Sequence, residues 1–157
     1  MDQFLQLVRD YVALIESCHS SSALELLRGI ARVLPALYAA GLDLPDRSPT
    51  SGEAPAFADI QSPMADLARL LGAWDVYCEV FDPCKDTEAI HQTLSDDLAD
   101  IYIDLKRELD AFDGGAVDDA IWSWRFTLAG HCGDHIVDAM RVIHRRIHED
   151  VLRLAAG

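Results

Sequence analysis

The chain of 157 residues is 50% hydrophobic and 25% charged, which suits one compact domain with a sizeable core and excludes a disordered, collagen-like or disulfide-scaffold protein. Thirteen Lys and Arg against 27 Asp and Glu leave a net charge of −14, which opposes binding to nucleic acid or to an anionic membrane surface. No apolar run reaches the roughly 18 residues that a membrane span needs, and Asp2, Arg9 and Asp10 interrupt any signal-like start, so a cytoplasmic protein is expected.

Helical periodicity dominates. Phe4, Leu7, Val8, Tyr11, Leu14, Ile15 and Cys18 fall at three- and four-residue steps and predict a first helix over 2–18. Ser22 and Glu25 have the spacing of a capping box for a second helix, which Pro35 should kink and Gly41 should end. Residues 43–60 hold Pro45, Pro49 and Pro55 among small polar residues and predict a long irregular loop. Ser62 and Pro63 are placed to start a third helix that runs past Trp74 and Tyr77 to Phe81, with 84–94 as a further short helical segment.

Ser95 is read as the cap of a fourth helix whose stripe of Leu98, Ile101, Tyr102, Leu105, Leu109 and Phe112 ends at Gly114 and Gly115. From Ala116 to Leu154 the period continues as one long helix or as two broken at Gly133, with Trp122 and Phe126 on its core side. The expected fold class is all-α, a single-domain bundle of five to six helices covering 1–157.

Two constellations carry possible chemistry. Asp97, Asp100 and Asp104 stand at i, i+3 and i+7, one edge of the fourth helix, where carboxylates can hold a divalent cation such as Mg or Mn or simply form a solvated, dipole-favoured face. His131 and His135 are one turn apart and can chelate Zn, Fe or Mn, or can be part-buried imidazoles bonded across a helix interface. The sharper hypothesis joins these five residues into one metal or polar site, with Glu79 as a further ligand candidate. Arg125, Trp122, Trp124 and Tyr102 are candidate anion or pocket contacts, although the role favoured for Arg125 is a pair with an aspartate of the fourth helix. His144 and His148 read as part of a basic stripe at a helix C-terminus, with Arg141, Arg145, Arg146 and Arg153. Cys18, Cys78, Cys84 and Cys132 are irregularly spaced and read as free thiols; a zinc site from Cys78, Cys84 and His91 matches no common ligand spacing.

The order DDLADIY (96–102), WRF (124–126) and HxGxH (131–135), together with Tyr77, Val80 to Pro83, Leu34-Pro35, Leu37-Tyr38 and Leu42-x-Leu44-Pro45, resembles the bacterial helical family called domain of unknown function 5063. The resemblance covers nearly the whole chain. It implies an all-α domain without an established activity and places the aspartates and the histidine pair in the family's signature stretches. Cys132 departs from the Trp expected there.

The reading these features favour is a non-catalytic binding or regulatory module for a basic protein partner, because residues 95–119 hold nine acids and two bases. The alternative is a divalent-metal protein, including a metal-dependent phosphohydrolase, built on Asp97, Asp100, Asp104, His131 and His135. A third class is a small-molecule binder lined by Trp122, Trp124 and Tyr102.

Overall fold

The computed structural model describes residues 1–49, 60–82 and 84–149. Over these residues the chain runs α1 (Asp2–Glu16), α2 (Ala23–Leu42), α3 (Met64–Leu71), β1 (Val76–Glu79), β2 (Ile90–Thr93), α4 (Leu94–Asp113), α5 (Val117–Gly130) and α6 (Cys132–Ile147). The fold class is all-α with one small addition, an antiparallel hairpin that pairs Val76 with Thr93 and Glu79 with Ile90. Most of the segment expected to be an irregular loop, 50–59, lies outside the described residues, and 44–49 carry no regular structure.

The start of α2 is fixed as its sequence dictates. Ser22 Oγ accepts the Glu25 amide while the Glu25 carboxylate accepts the Ser22 amide, the reciprocal bonds of a capping box. Pro35 lies inside α2, and the helix continues past it to Leu42.

The third helix is shorter than expected. It ends at Leu71, where Gly72 takes a positive φ of 54°, and Val76–Glu79 are strand, as is Ile90–Thr93 where a helical segment was expected. Val76, Tyr77, Cys78 and Glu79 alternate between exposed and buried, a period of two too brief to stand out from the helical pattern before it.

The hairpin also moves the start of α4. Thr93 is its N-cap residue and makes no side-chain cap bond. Asp75, just before β1, does that work from across the hairpin: its carboxylate accepts the Ser95 amide at 2.7 Å and the Ser95 hydroxyl at 3.0 Å, and its carbonyl accepts the Leu94 amide at 2.8 Å. Ser95 is therefore a buried first-turn residue and not the cap.

Helix α4 is central, packing against α1, α3, α5 and α6. Tyr11 ties α1 to it, donating to the Leu98 carbonyl at 2.9 Å. The apolar stripe expected on α4 is in the core, but so are Asp97, Asp104 and Glu108, because α5 and α6 cover its other side. Trp124, against Phe4 and Phe112, is the buried tryptophan; Trp122 and Phe126 are 40% and 65% exposed and stack on each other, which corrects their assignment to the core side.

Residues 116–147 form two helices that break at His131, whose φ of −150° leaves the helical region. The corner is tight: a Cβ on Gly133 would lie 2.0 Å from the Leu128 carbonyl oxygen, whereas one on Gly130 meets nothing within 4 Å. Gly133→Ala is expected to cost about 3 kcal/mol or to prevent folding, while Gly130→Ala leaves the urea midpoint unchanged or raises it slightly; paired denaturation curves check this. Asp75→Ala should cost about 1–2 kcal/mol, and Thr93→Ala much less, in the same measurement.

Candidate metal centre

Helices α4 and α6 are both long enough to present two successive turns to each other. On α4 the aspartates at 97, 100 and 104 share one edge, while His131 stands at the non-helical α5–α6 corner and His135 in the first turn of α6. Packing of α6 on α4 brings both imidazoles to that edge. His131 Nδ1 lies 2.9 Å from Asp104 Oδ2, and His135 Nδ1 lies 2.8 Å from Asp97 Oδ1.

The aspartates divide into two roles. Asp97 and Asp104 are 4% and 6% exposed and their oxygens are engaged: Asp97 Oδ2 accepts the Tyr77 hydroxyl at 2.7 Å, and Asp104 Oδ1 faces Arg107 at 3.7 Å. A buried carboxylate needs such donors, since burial without them carries a large desolvation cost. Asp100, part-exposed between them, has its Oδ2 3.4 Å from His135 Nε2 and 3.8 Å from His131 Nε2. Each imidazole thus offers Nδ1 to a buried carboxylate and turns Nε2 towards Asp100.

When Nδ1 carries the proton donated to an aspartate, the Nε2 lone pair is left facing Asp100. One ligand atom from each of Asp100, His131 and His135 lies within 4.8 Å of the others. Bonds of roughly 2.1 Å from a tetrahedral ion set two ligand atoms about 3.4 Å apart, which the 3.4 and 3.8 Å separations from Asp100 approach. The His131 side chain is 52% exposed, which leaves one side of the cluster open to solvent.

A second acidic group continues the network. Tyr77 Oη lies 3.1 Å from Glu79 Oε2 while it donates to Asp97, and Arg141 approaches Glu79 at 3.9 Å and Asp138 at 3.8 Å. Burial pushes the carboxyls of Asp97, Asp100 and Glu108 above their usual range. His135 is pushed up by its hydrogen bond to Asp97. Asp138 is raised to about 6, first by burial and then by the charge of Glu79 beside it.

The other candidates do not converge on this cluster. Trp124 is in the core and Trp122 stacks outside it. Tyr102 donates to Glu16 at 3.1 Å, and burial pushes its hydroxyl up to about 12. Arg125 pairs with Asp46 at 2.8 Å and not with an aspartate of α4. Cys78 Sγ and His91 Nδ1 come within 3.4 Å, yet among the described residues Asp100, His131 and His135 make up the group of three with ligand atoms close enough for an ion, and Cys84 joins none. Cys132, where a Trp was expected, is fully buried, and burial raises its thiol well above the ordinary range. Asp138 was missed by the motif reading, although its position three residues after His135 continues the same face of α6.

The family described as domain of unknown function 5063 matches residues 1–149. The chain belongs to this family. Among solved structures, the crystal structure of protein BF1032 from Bacteroides fragilis is similar, with a TM-score of 0.80 and 24% identity over 91% of this chain and 89% of that one. At that identity the likeness speaks for the fold. No curated protein matches the chain.

Asp138 yields a pH prediction. Its folded-state value of about 6 stands above the ordinary 3.8, so the folded protein holds a proton that the unfolded chain releases. The stability this contributes is complete below the unfolded value and is lost as pH rises through the folded one. Asp138→Asn, which stays neutral, should flatten the fall in melting temperature over that window and raise it at neutral pH; thermal melts of chelator-treated protein at stepped pH check this.

Proposed function

We propose that the protein binds a divalent transition-metal ion through Asp100, His131 and His135. The observation that carries this is the shared orientation of the imidazoles: each gives Nδ1 to a buried aspartate and turns Nε2 to the same Asp100 oxygen. A carboxylate behind a histidine is the usual outer arrangement of metal-ligating imidazoles, because it sets the tautomer and the ring angle. Two imidazoles and one carboxylate suit Zn²⁺, Fe²⁺ or Mn²⁺ better than Mg²⁺, which prefers oxygen. Asp97 and Asp104 are then positioning residues.

Three protein ligands leave coordination positions open, and the exposed side of His131 gives water access to them. An ion held in this way would supply a Lewis acid and, in the case of Zn²⁺, would lower the pKa of a bound water to about 7, the chemistry of metal-assisted hydrolysis. Metal-dependent phosphohydrolysis is one reaction of that class.

Binding of a basic partner through α4 has less support. Of the acids between 95 and 119, Asp97, Asp104, Glu108 and Asp119 are buried. Asp110, Asp113 and Asp118 face Lys106, Arg9 and Arg47. Little unpaired acid is left on that surface for a partner to meet.

The test is metal content after purification without a tag, followed by titration of chelated protein with Zn²⁺, Fe²⁺, Mn²⁺ and Mg²⁺. One equivalent of a transition ion should bind and raise the melting temperature, Mg²⁺ should bind far more weakly, and His135→Ala or Asp100→Ala should abolish the effect while the fold persists. Asp97→Asn should weaken affinity about 10–100-fold through ring orientation. Folded His135→Ala protein that binds as well as wild type would overturn the assignment.

A further inference from the structure

Away from the His–Asp cluster, a cleft of about 440 Å³ is lined by Tyr77 and Cys78 of β1 and by Arg141, Val142, Arg145 and Arg146 of α6. Its volume is that of a small-ligand site. Its charge is opposite to the rest of the protein: a chain with net charge −14 and 13 Lys and Arg in all sets three arginines along one wall. The preference of a helix C-terminus for cations accounts for Arg145 and Arg146 in the last turn of α6. It does not account for Arg141 a turn earlier, or for a strand that closes the other side of the cleft.

The three guanidinium groups are engaged to different degrees. Arg141 faces Glu79 and Asp138 at 3.9 and 3.8 Å, so its charge is balanced locally. Arg146 donates Nη2 to the Val76 carbonyl at 3.0 Å, a bond that fixes the side chain against β1, and its buried Nε has no hydrogen-bond partner among the described residues. Arg145 is exposed and, among the described residues, has no carboxylate within 4.0 Å. Two cationic forks with no carboxylate partner among the described residues suit a dianion, and guanidinium geometry matches phosphate oxygens in pairs. Val142 and the Tyr77 ring supply an apolar wall beside them, while the Tyr77 hydroxyl is already committed to Asp97.

We propose that this cleft binds the phosphate group of a small organic phosphate monoester, with Arg145 and Arg146 on the phosphate and Val142 and Tyr77 against the organic part. A monoester is dianionic at neutral pH because its second ionisation lies near pH 6. The site stands on the arginine wall and does not require the metal centre.

Phenyl phosphate is the probe, titrated by calorimetry into chelated full-length protein at low ionic strength, with phenyl sulfate as the monoanionic control. Saturable binding of one equivalent is expected, about tenfold tighter for the phosphate than for the sulfate. Arg145→Gln, at an exposed side chain and therefore expected to leave the melting temperature unchanged, should weaken it about tenfold, and His135→Ala should leave it intact. Cys78 and Cys84 are both exposed thiols, but only Cys78 lines the cleft, so phenyl phosphate should slow iodoacetamide labelling of Cys78 and not of Cys84, read by peptide mass. Absence of saturable binding, equal affinity in Arg145→Gln, or labelling of Cys78 unaffected by the ligand would overturn the proposal. Binding that needs added metal and disappears in His135→Ala would overturn it too, and would assign the phosphate to the metal centre instead.

Discussion

Two carboxylates buried on the central helix set the terms for everything around them. Asp97 and Asp104 are removed from water where α6 packs on α4, and a charge in that position is tolerated only with donors in place. The donors are His135 and Tyr77 for Asp97 and His131 for Asp104, with the Arg107 cation near the second Asp104 oxygen. They come from α4, β1, α6 and the α5–α6 corner, so each carboxylate acts as a joint between secondary structures as well as a charge.

The α5–α6 corner and the hairpin serve these joints. Gly133 lets the first turn of α6 press against the Leu128 carbonyl, which sets where His131 and His135 stand above α4. The hairpin brings Tyr77 to Asp97 with one strand and delivers the chain into α4 with the other, and Asp75 fastens the junction by capping the helix. A polar line runs from His131 through Asp104 and Asp100 to His135, Asp97, Tyr77 and Glu79. One end opens to solvent at His131, and the other abuts the arginine-lined cleft through the Tyr77 ring.

Much of the helical framework was legible because it is local. The Ser22 and Glu25 box, the Gly114-Gly115 stop and the stripes of α1 and α4 are written within a few residues of where they act. The strands were not legible. Four residues each, they pair across the sequence, and their alternation is too brief to compete with helical periodicity on both sides. Trp122 was misplaced in the core for a related reason: α5 has apolar residues on more than one face, and only its packing on Phe4 and Phe112 selects Trp124.

The sequence by itself determined the helical class and the spacing that aligns Asp97, Asp100 and Asp104 on one helix edge. Both follow from the period of a single helix. Tertiary structure alone decided that His131, at the α5–α6 corner, and His135, in α6, both face that edge, that Asp97 and Asp104 are buried behind the imidazoles while Asp100 stands before them, and that Arg125 turns to Asp46. An amphipathic pattern marks a polar edge without saying whether water or another helix covers it. On α4 the cover is α6, and the same aspartates that would read as a solvated face become the inner supports of a histidine pair.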